Sequence, residues 1–248
     1  MTRRLPWQIL GAAIGVQVVY PLTQVPARTA VTALTVVSGT LFGVVHAYLT
    51  RGPRWTALCF LAIITGSAAI EIIGVGTGWP FGDYRYTGAL GPELAGVPLL
   101  VPLAWSMMAY PAWVAGSHVA RGRVTRVLVA AWTLAAWDVF LDPQMVAAGS
   151  WRWDHPDPAL PGVPGVPVGN YVAWLLVGVG LMAAISALCG PGPLDRRADA
   201  PVIVFLAWTW VGSMLAHAVF LGLRGSALWG GVAMGLVVVP LVLTGARR

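Results

Sequence analysis

Residues 55–87 read WTALCFLAIITGSAAIEIIGVGTGWPFGDYRYT. Trp55 to Gly78 form an apolar run long enough to cross a bilayer as a helix, for which about 20 residues suffice. Glu71 interrupts that run, and glycine, proline and a group of aromatics follow it. A carboxylate inside a spanning helix is costly unless it faces a polar interior or a partner. Seven further runs of comparable length lie at 5–22, 29–49, 97–119, 125–142, 169–190, 201–223 and 226–245. The expected fold is therefore an all-α polytopic membrane protein with about eight transmembrane helices. It forms a single transmembrane domain over residues 1–248 and carries structured outer loops.

Composition agrees with this reading. The chain is 58% hydrophobic and 10% charged, with a mean hydropathy of +0.76, more apolar surface than a soluble domain can hide. All fifteen basic residues are arginine, so there is no lysine to form a retinal Schiff base. A pI near 10.0 raises the question of nucleic acid. These arginines, however, sit in short clusters between apolar runs, which is the pattern of membrane topology, and no nucleic-acid partner is expected. Eleven of them, including Arg3, Arg4, Arg51, Arg121, Arg196 and Arg247, fall on one set of alternating connections; Arg28, Arg85, Arg152 and Arg224 fall on the other. That bias predicts a multi-pass protein of the cell membrane with both termini cytoplasmic and residues 79–96 and 143–168 outside.

The first run, with two arginines before it and VPA ahead of Arg28, also has the shape of a signal peptide, whose removal would leave seven spans. Gln8, Gln17 and Pro21 break a simple signal core and favour a retained helix. The second outer loop contains WRWDHPDPALPGVPGVP at 151–167, where five prolines forbid a continuous helix and suggest a rigid, folded-back lid. Cys59 and Cys189, far apart and in apolar context, read as core residues. His46 and His118, beside Arg51 and Arg121, read as interfacial.

Glu71, Asp138, Asp142 and His217 remain inside predicted spans. Glu71 is sixteen residues past Trp55, Asp142 sixteen past Arg126 and His217 sixteen past Pro201. At the helical rise that is roughly 24 Å into a hydrocarbon core of about 30 Å, so three helices place an ionisable group in one outer layer. Asp138 lies one turn deeper than Asp142 on the same helix face. Each taken singly also reads as a packing residue, and Asp142 before Pro143 as a helix end. Trp79, Phe81, Tyr84, Tyr86, Trp105, Trp151 and Trp153 gather near the same outer ends.

No CxxC, HExxH, GxSxG or phosphate-cradling motif is present, which argues against nucleophilic hydrolysis and nucleotide use. Proton addition to an apolar alkene suits the residues better. A buried carboxylic acid keeps its proton at neutral pH, aromatic faces stabilise a developing cation, and water from the rim then captures it.

GTGWPFGDYRYT, GVPLLVPLAW, DVFLDP, the pair WRW, and the Gly-Val-Pro run leading into NYVAW at Asn170 to Trp174 together resemble the integral-membrane carotenoid hydratase family, in matching order over about residues 60–220. The resemblance implies hydration of the terminal isoprene double bond of a C40 or C50 carotenoid, without a cofactor or metal. It also implies a carotenoid partner within the lipid bilayer and possible association with other carotenoid-pathway membrane enzymes. The matching positions include Glu71, Pro80, Phe81, Gly82, Tyr84, Tyr86, Trp105, Asp138, Asp142, Pro143, Trp151, Trp153, Pro167, Asn170 and Trp174. Two other readings stand beside it. Asp138-x-x-x-Asp142 looks like half of a magnesium-diphosphate site of a membrane prenyltransferase, and a carotenoid carrier would use the same aromatic walls without the acids.

Overall fold

The computed structural model describes residues 4–24 and 27–243. Arg3, Arg247, Arg248, Val25 and Pro26, and the last two residues of the eighth predicted span, lie outside the described residues. The helices are α1 (Leu5–Val19, continued by a 3₁₀ turn Tyr20–Leu22), α2 (Ala27–Arg51), α3 (Pro53–Thr77) and α4 (Leu100–Val119). They are followed by α5 (Arg123–Ala147), α6 (Val168–Leu188), α7 (Ala200–Leu215, continued by a π-helical turn Ala216–Phe220) and α8 (Arg224–Leu243). Seven of these eight are long and apolar enough to cross a membrane, so the chain is a multi-pass membrane protein.

The eighth, α4, falls short in hydropathy for a physical reason. It packs against α2, α3 and α5 at the centre of the bundle. Its bulky side chains, Trp105, Met108, Tyr110 and Trp113, are all buried. A helix screened from lipid on every side can carry polar and aromatic residues that a lipid-facing one cannot.

Helix ends follow local chemistry. α3 starts at Pro53, where a missing N–H costs nothing, and stops at Gly78, whose φ of 75° is left-handed and whose N–H caps Gly74 O. The reading of Asp142 as a helix end does not hold: α5 runs through Pro143 to Ala147. Proline removes the donor to the carbonyl four residues earlier, and Ser226 Oγ on α8 supplies the replacement, donating to Val139 O at 2.7 Å.

The two long loops meet at the end of the bundle where α3 and α5 stop and α4 and α6 begin. β1 (Tyr84–Tyr86) pairs antiparallel with β4 (Trp151–Trp153), in the register Tyr84 opposite Trp153, Arg85 opposite Arg152 and Tyr86 opposite Trp151. A second small ribbon, β2 (Glu93–Leu94) with β3 (Val97–Pro98), completes the first loop. The prolines of the second loop do give a folded-back segment, closed by a bridge between Ala159 and Pro167.

At the opposite, arginine-rich end the interfacial reading of His46 fails, because His46 is fully buried. Its Nε2 donates to Ala198 O at 2.9 Å, which leaves Nδ1 to accept from Tyr110 Oη at 2.6 Å. Arg51 donates to the same Tyr110 oxygen at 2.8 Å and to Asp199 Oδ1 at 2.9 Å, while His118 Nε2 reaches Asp199 Oδ2 at 2.8 Å. Burial alone would raise the Asp199 carboxyl, but the His118 hydrogen bond and the Arg51 guanidinium outweigh it and hold the group below its ordinary value. This cluster ties α2, α4 and the start of α7 together.

Candidate active site

Strand alternation builds the roof of the site. Successive residues of a strand point to opposite faces, so Tyr84, Tyr86, Trp151 and Trp153 turn inward and Arg85 and Arg152 outward. Arg85 pairs with Asp154 in solvent. Tyr84 stacks on Trp153 with ring centroids 5.7 Å apart, and Tyr86 meets Trp151 edge-on at 5.6 Å. Trp153 Nε1 also donates to Phe81 O at 2.9 Å, fastening the PFG turn beneath the ribbon.

Beneath this roof Glu71 is 4% exposed and takes three hydrogen bonds. Tyr84 and Tyr86 donate to its Oε2 at 2.6 and 2.9 Å, and Trp105 Nε1 donates to Oε1 at 3.0 Å. Burial, followed by the nearby Glu71 carboxyl, pushes both phenols well above their ordinary value, so they stay O–H donors. The approach of Tyr84 depends on Gly74, one turn from Glu71 on α3: a Cβ there would lie 2.8 Å from the Tyr84 hydroxyl. Trp105 in turn stacks on Trp174 of α6, with centroids 4.0 Å apart and planes 8° from parallel.

The second acidic set belongs to α5. Asp138 and Asp142, at 0% and 3% exposure, stack one turn apart. Asn170 Nδ2 donates to both, at 3.1 Å to Asp138 Oδ2 and 2.5 Å to Asp142 Oδ2. Trp151 Nε1 donates to Asp142 Oδ1 at 3.1 Å. Asp138 Oδ1 and Asn170 Oδ1 are buried without a hydrogen-bond partner. Glu71 and Asp142 line one cavity, walled by Phe81, Tyr84, Trp105, Trp153, Trp174 and their neighbours. Asp138 sits behind Asp142 rather than on the cavity wall. Among the described residues no arginine lines this space. Among the described residues no group of three His, Cys, Asp or Glu side chains is placed to hold a metal.

Of the residues singled out from sequence, the structure thus gathers Glu71, Asp138, Asp142, Phe81, Tyr84, Tyr86, Trp105, Trp151, Trp153, Asn170 and Trp174 around one cavity. Two do not join it. Trp79 is 66% exposed on the outside of its turn. His217 shares the depth but not the direction: its Nδ1 meets Ser226 Oγ at 2.9 Å and its Nε2 meets Gln144 Oε1 at 3.0 Å, with the Phe140 ring packed edge-on. Gln144 is two residues past Asp142, about 200° around a helix of 3.6 residues per turn, so it faces away from the acids. Sequence reasoning missed Trp137, Leu141 and Met145, which line the cavity. Their spacing of four along α5 was the available signal.

The carotenoid biosynthesis protein family model matches residues 31–242, and the chain belongs to that family. A bisanhydrobacterioruberin hydratase of Haloarcula japonica is 36% identical over 131 residues, a stretch covering 50% of this chain and 43% of that protein. The chain thus matches less than half the length of this relative. No solved structure matches the chain.

Proposed function

We propose that the protein is a hydratase that adds water across the terminal isoprene double bond of a C40 or C50 carotenoid, with no cofactor. The observation that carries this reading is the separation of the carboxyls into two sets at one aromatic cavity, Glu71 on one wall and Asp142, backed by Asp138, on another. Glu71 faces three donors, an environment suited to a carboxylate anion. Asp138 and Asp142 stack one turn apart, are both buried and share one amide donor, and two carboxyls so placed favour one proton held in common. A carboxyl proton also removes charge from this pair, whose Asp138 Oδ1 is buried without a hydrogen-bond partner.

In the step we assign, Asp142 delivers its proton to the less substituted alkene carbon, and the π electrons form the new C–H bond. The positive charge develops on the tertiary carbon, against the faces of the surrounding tryptophans and tyrosines. Water adds to that carbon and loses a proton to Glu71, giving the tertiary alcohol. Transfer of that proton back to the aspartate pair restores the acid, and the net change is addition of one water. Tyr84, Tyr86 and Trp105 hold the base still. The arginine bias supports a ribbon-covered end on the outer side of the membrane and cytoplasmic termini.

The test is conversion, in membranes carrying the protein, of an anhydro carotenoid to a product heavier by one water. Wild-type conversion that survives chelation, with loss in Asp142→Asn and Glu71→Gln, is the expected result. Activity abolished by EDTA and restored by magnesium would replace this reading with the diphosphate-using transferase. Pigment binding without turnover in the wild type would replace it with the carrier.

A further inference from the structure

A second and larger cavity lies between α1, α2, α4, α5 and α7. It is not separate from the first. Thr32, Val36, Ala104, Trp137, Leu141 and Met145 line both, so one wall divides and joins them. Along α7 its lining runs from Phe205 to Phe220, roughly 22 Å at the helical rise. The space is therefore long as well as large. Its rim is open to the side: Val18 and Leu22 on α1 and its 3₁₀ turn are 47% and 66% exposed, and Leu215 and Phe220 on α7 and its π turn are 55% and 50% exposed. These four apolar residues line the cavity and also face the region that lipid occupies. Farther from the ribbon end, Trp208 Nε1 donates to Gln17 Oε1 at 2.8 Å and holds α1 against α7.

We infer that this second cavity holds the polyene stem of the substrate whose terminal isoprene unit occupies the acid cavity, and that the gap between the 3₁₀ turn and the π turn is its entrance from the bilayer. The inference rests on the hydratase reading for what sits in the acid cavity. Three observations carry it. The two spaces share six lining residues, so a chain that bends past Trp137 and Leu141 fills both. The smaller, acid-lined space matches an end group, while the larger matches an extended apolar arm. An apolar substrate dissolved in lipid also needs a lateral rather than an aqueous entrance, and the exposed rim provides one. Tyr20, Gln144 and Ser213 then become positions that read the length of the stem, since they line only the larger space.

The test compares two alkenes with the same terminal isoprene unit, a full-length carotenoid and a short isoprenoid that ends within the acid cavity. A Cβ at Gly212 would meet only the Trp208 ring, at 3.4 Å, so a side chain can be introduced there. Gly212→Phe should lower the ratio of long to short turnover about tenfold or more, since a filled pocket discriminates by contact. An unchanged ratio in a folded variant overturns the inference. Binding gives a second readout that is independent of turnover. In a chain with Cys59→Ala, Cys189→Ala and Ser213→Cys, the long carotenoid should slow modification by a lipid-soluble thiol reagent, and the short isoprenoid should not. If the carotenoid gives no protection, the cavity is filled by membrane acyl chains and the inference falls. Wild-type protein that hydrates neither alkene removes the hydratase reading alone, and the protection experiment still decides the stem site.

Discussion

Asn170 Nδ2 approaches Asp142 Oδ2 to 2.5 Å while the same nitrogen reaches Asp138 at 3.1 Å. One amide on α6 thus bridges two carboxyls on α5. Asn170→Leu keeps the volume and removes the donor, so the acids lose their common anchor. Turnover per folded molecule should fall on the order of 10²-fold, the usual scale of a mispositioned general acid. Asn170→Gln, which retains the amide on a longer arm, should recover part of that loss. Equal loss in both variants would show that shape rather than donation matters. The readout is initial rate of carotenoid hydration, normalised to folded protein.

Acid and aromatic variants should differ in kind. Asp142→Asn retains the shape and lacks the proton, and should lose about 10²-fold or more in rate. Trp153→Phe keeps an aromatic face and gives up the hydrogen bond to Phe81 O, for a cost of about 0.5 to 2 kcal/mol. Single-turnover rates separate the two. Full activity in both Asp138→Asn and Asp142→Asn would leave Glu71 as the acid.

His217 should behave as a structural residue despite its depth. It holds Ser226, which caps the carbonyl freed by Pro143, and it is not part of the lining of the acid cavity. His217→Ala should therefore destabilise by about 1–3 kcal/mol, the cost of leaving buried polar partners unsatisfied. It should lower the melting temperature in detergent while turnover per folded molecule stays within a few-fold of wild type. A loss of rate as large as that of Asp142→Asn, at unchanged stability, would return His217 to the chemistry.

At the opposite end Arg51 and Asp199 are a buried pair. Removing one partner strands the other, so Arg51→Met should cost about 3–5 kcal/mol. The double variant Arg51→Met with Asp199→Leu should regain much of it. Thermal unfolding of the purified protein gives both values, and additive losses in the double variant would show that the two side chains act independently.

The helices were legible because bilayer thickness imposes a minimum apolar length, and the acids were legible because charge in such a run is expensive. Depth came from counting along each helix. Direction did not, and that is why Glu71 and Asp142 share a cavity and His217 does not: sixteen residues define a layer, but the facing side depends on how α5, α7 and α8 pack. The pairing of β1 with β4 was not legible either. Tyr-Arg-Tyr and Trp-Arg-Trp each show a period of two, but each spans only three residues, too few to signal a strand until a partner from 65 residues away supplies the hydrogen bonds. Asn170 appeared only as part of a matching motif, since an asparagine near a helix start is usually a cap.

The β1–β4 ribbon also bears on how such proteins can be recombined. Its two strands come from different loops, yet a shift of one residue in either would turn the inward rings outward and bring Arg85 or Arg152 over the acids. Neither loop is therefore an independent module. Grafting residues 78–99 from a relative without 148–167 pairs strands that were never matched to each other, whereas exchanging both together transfers the roof as one unit. Insertions between Trp79 and Tyr86 should be far less tolerated than insertions of equal length near Gly88 or Gly91, beyond the paired residues.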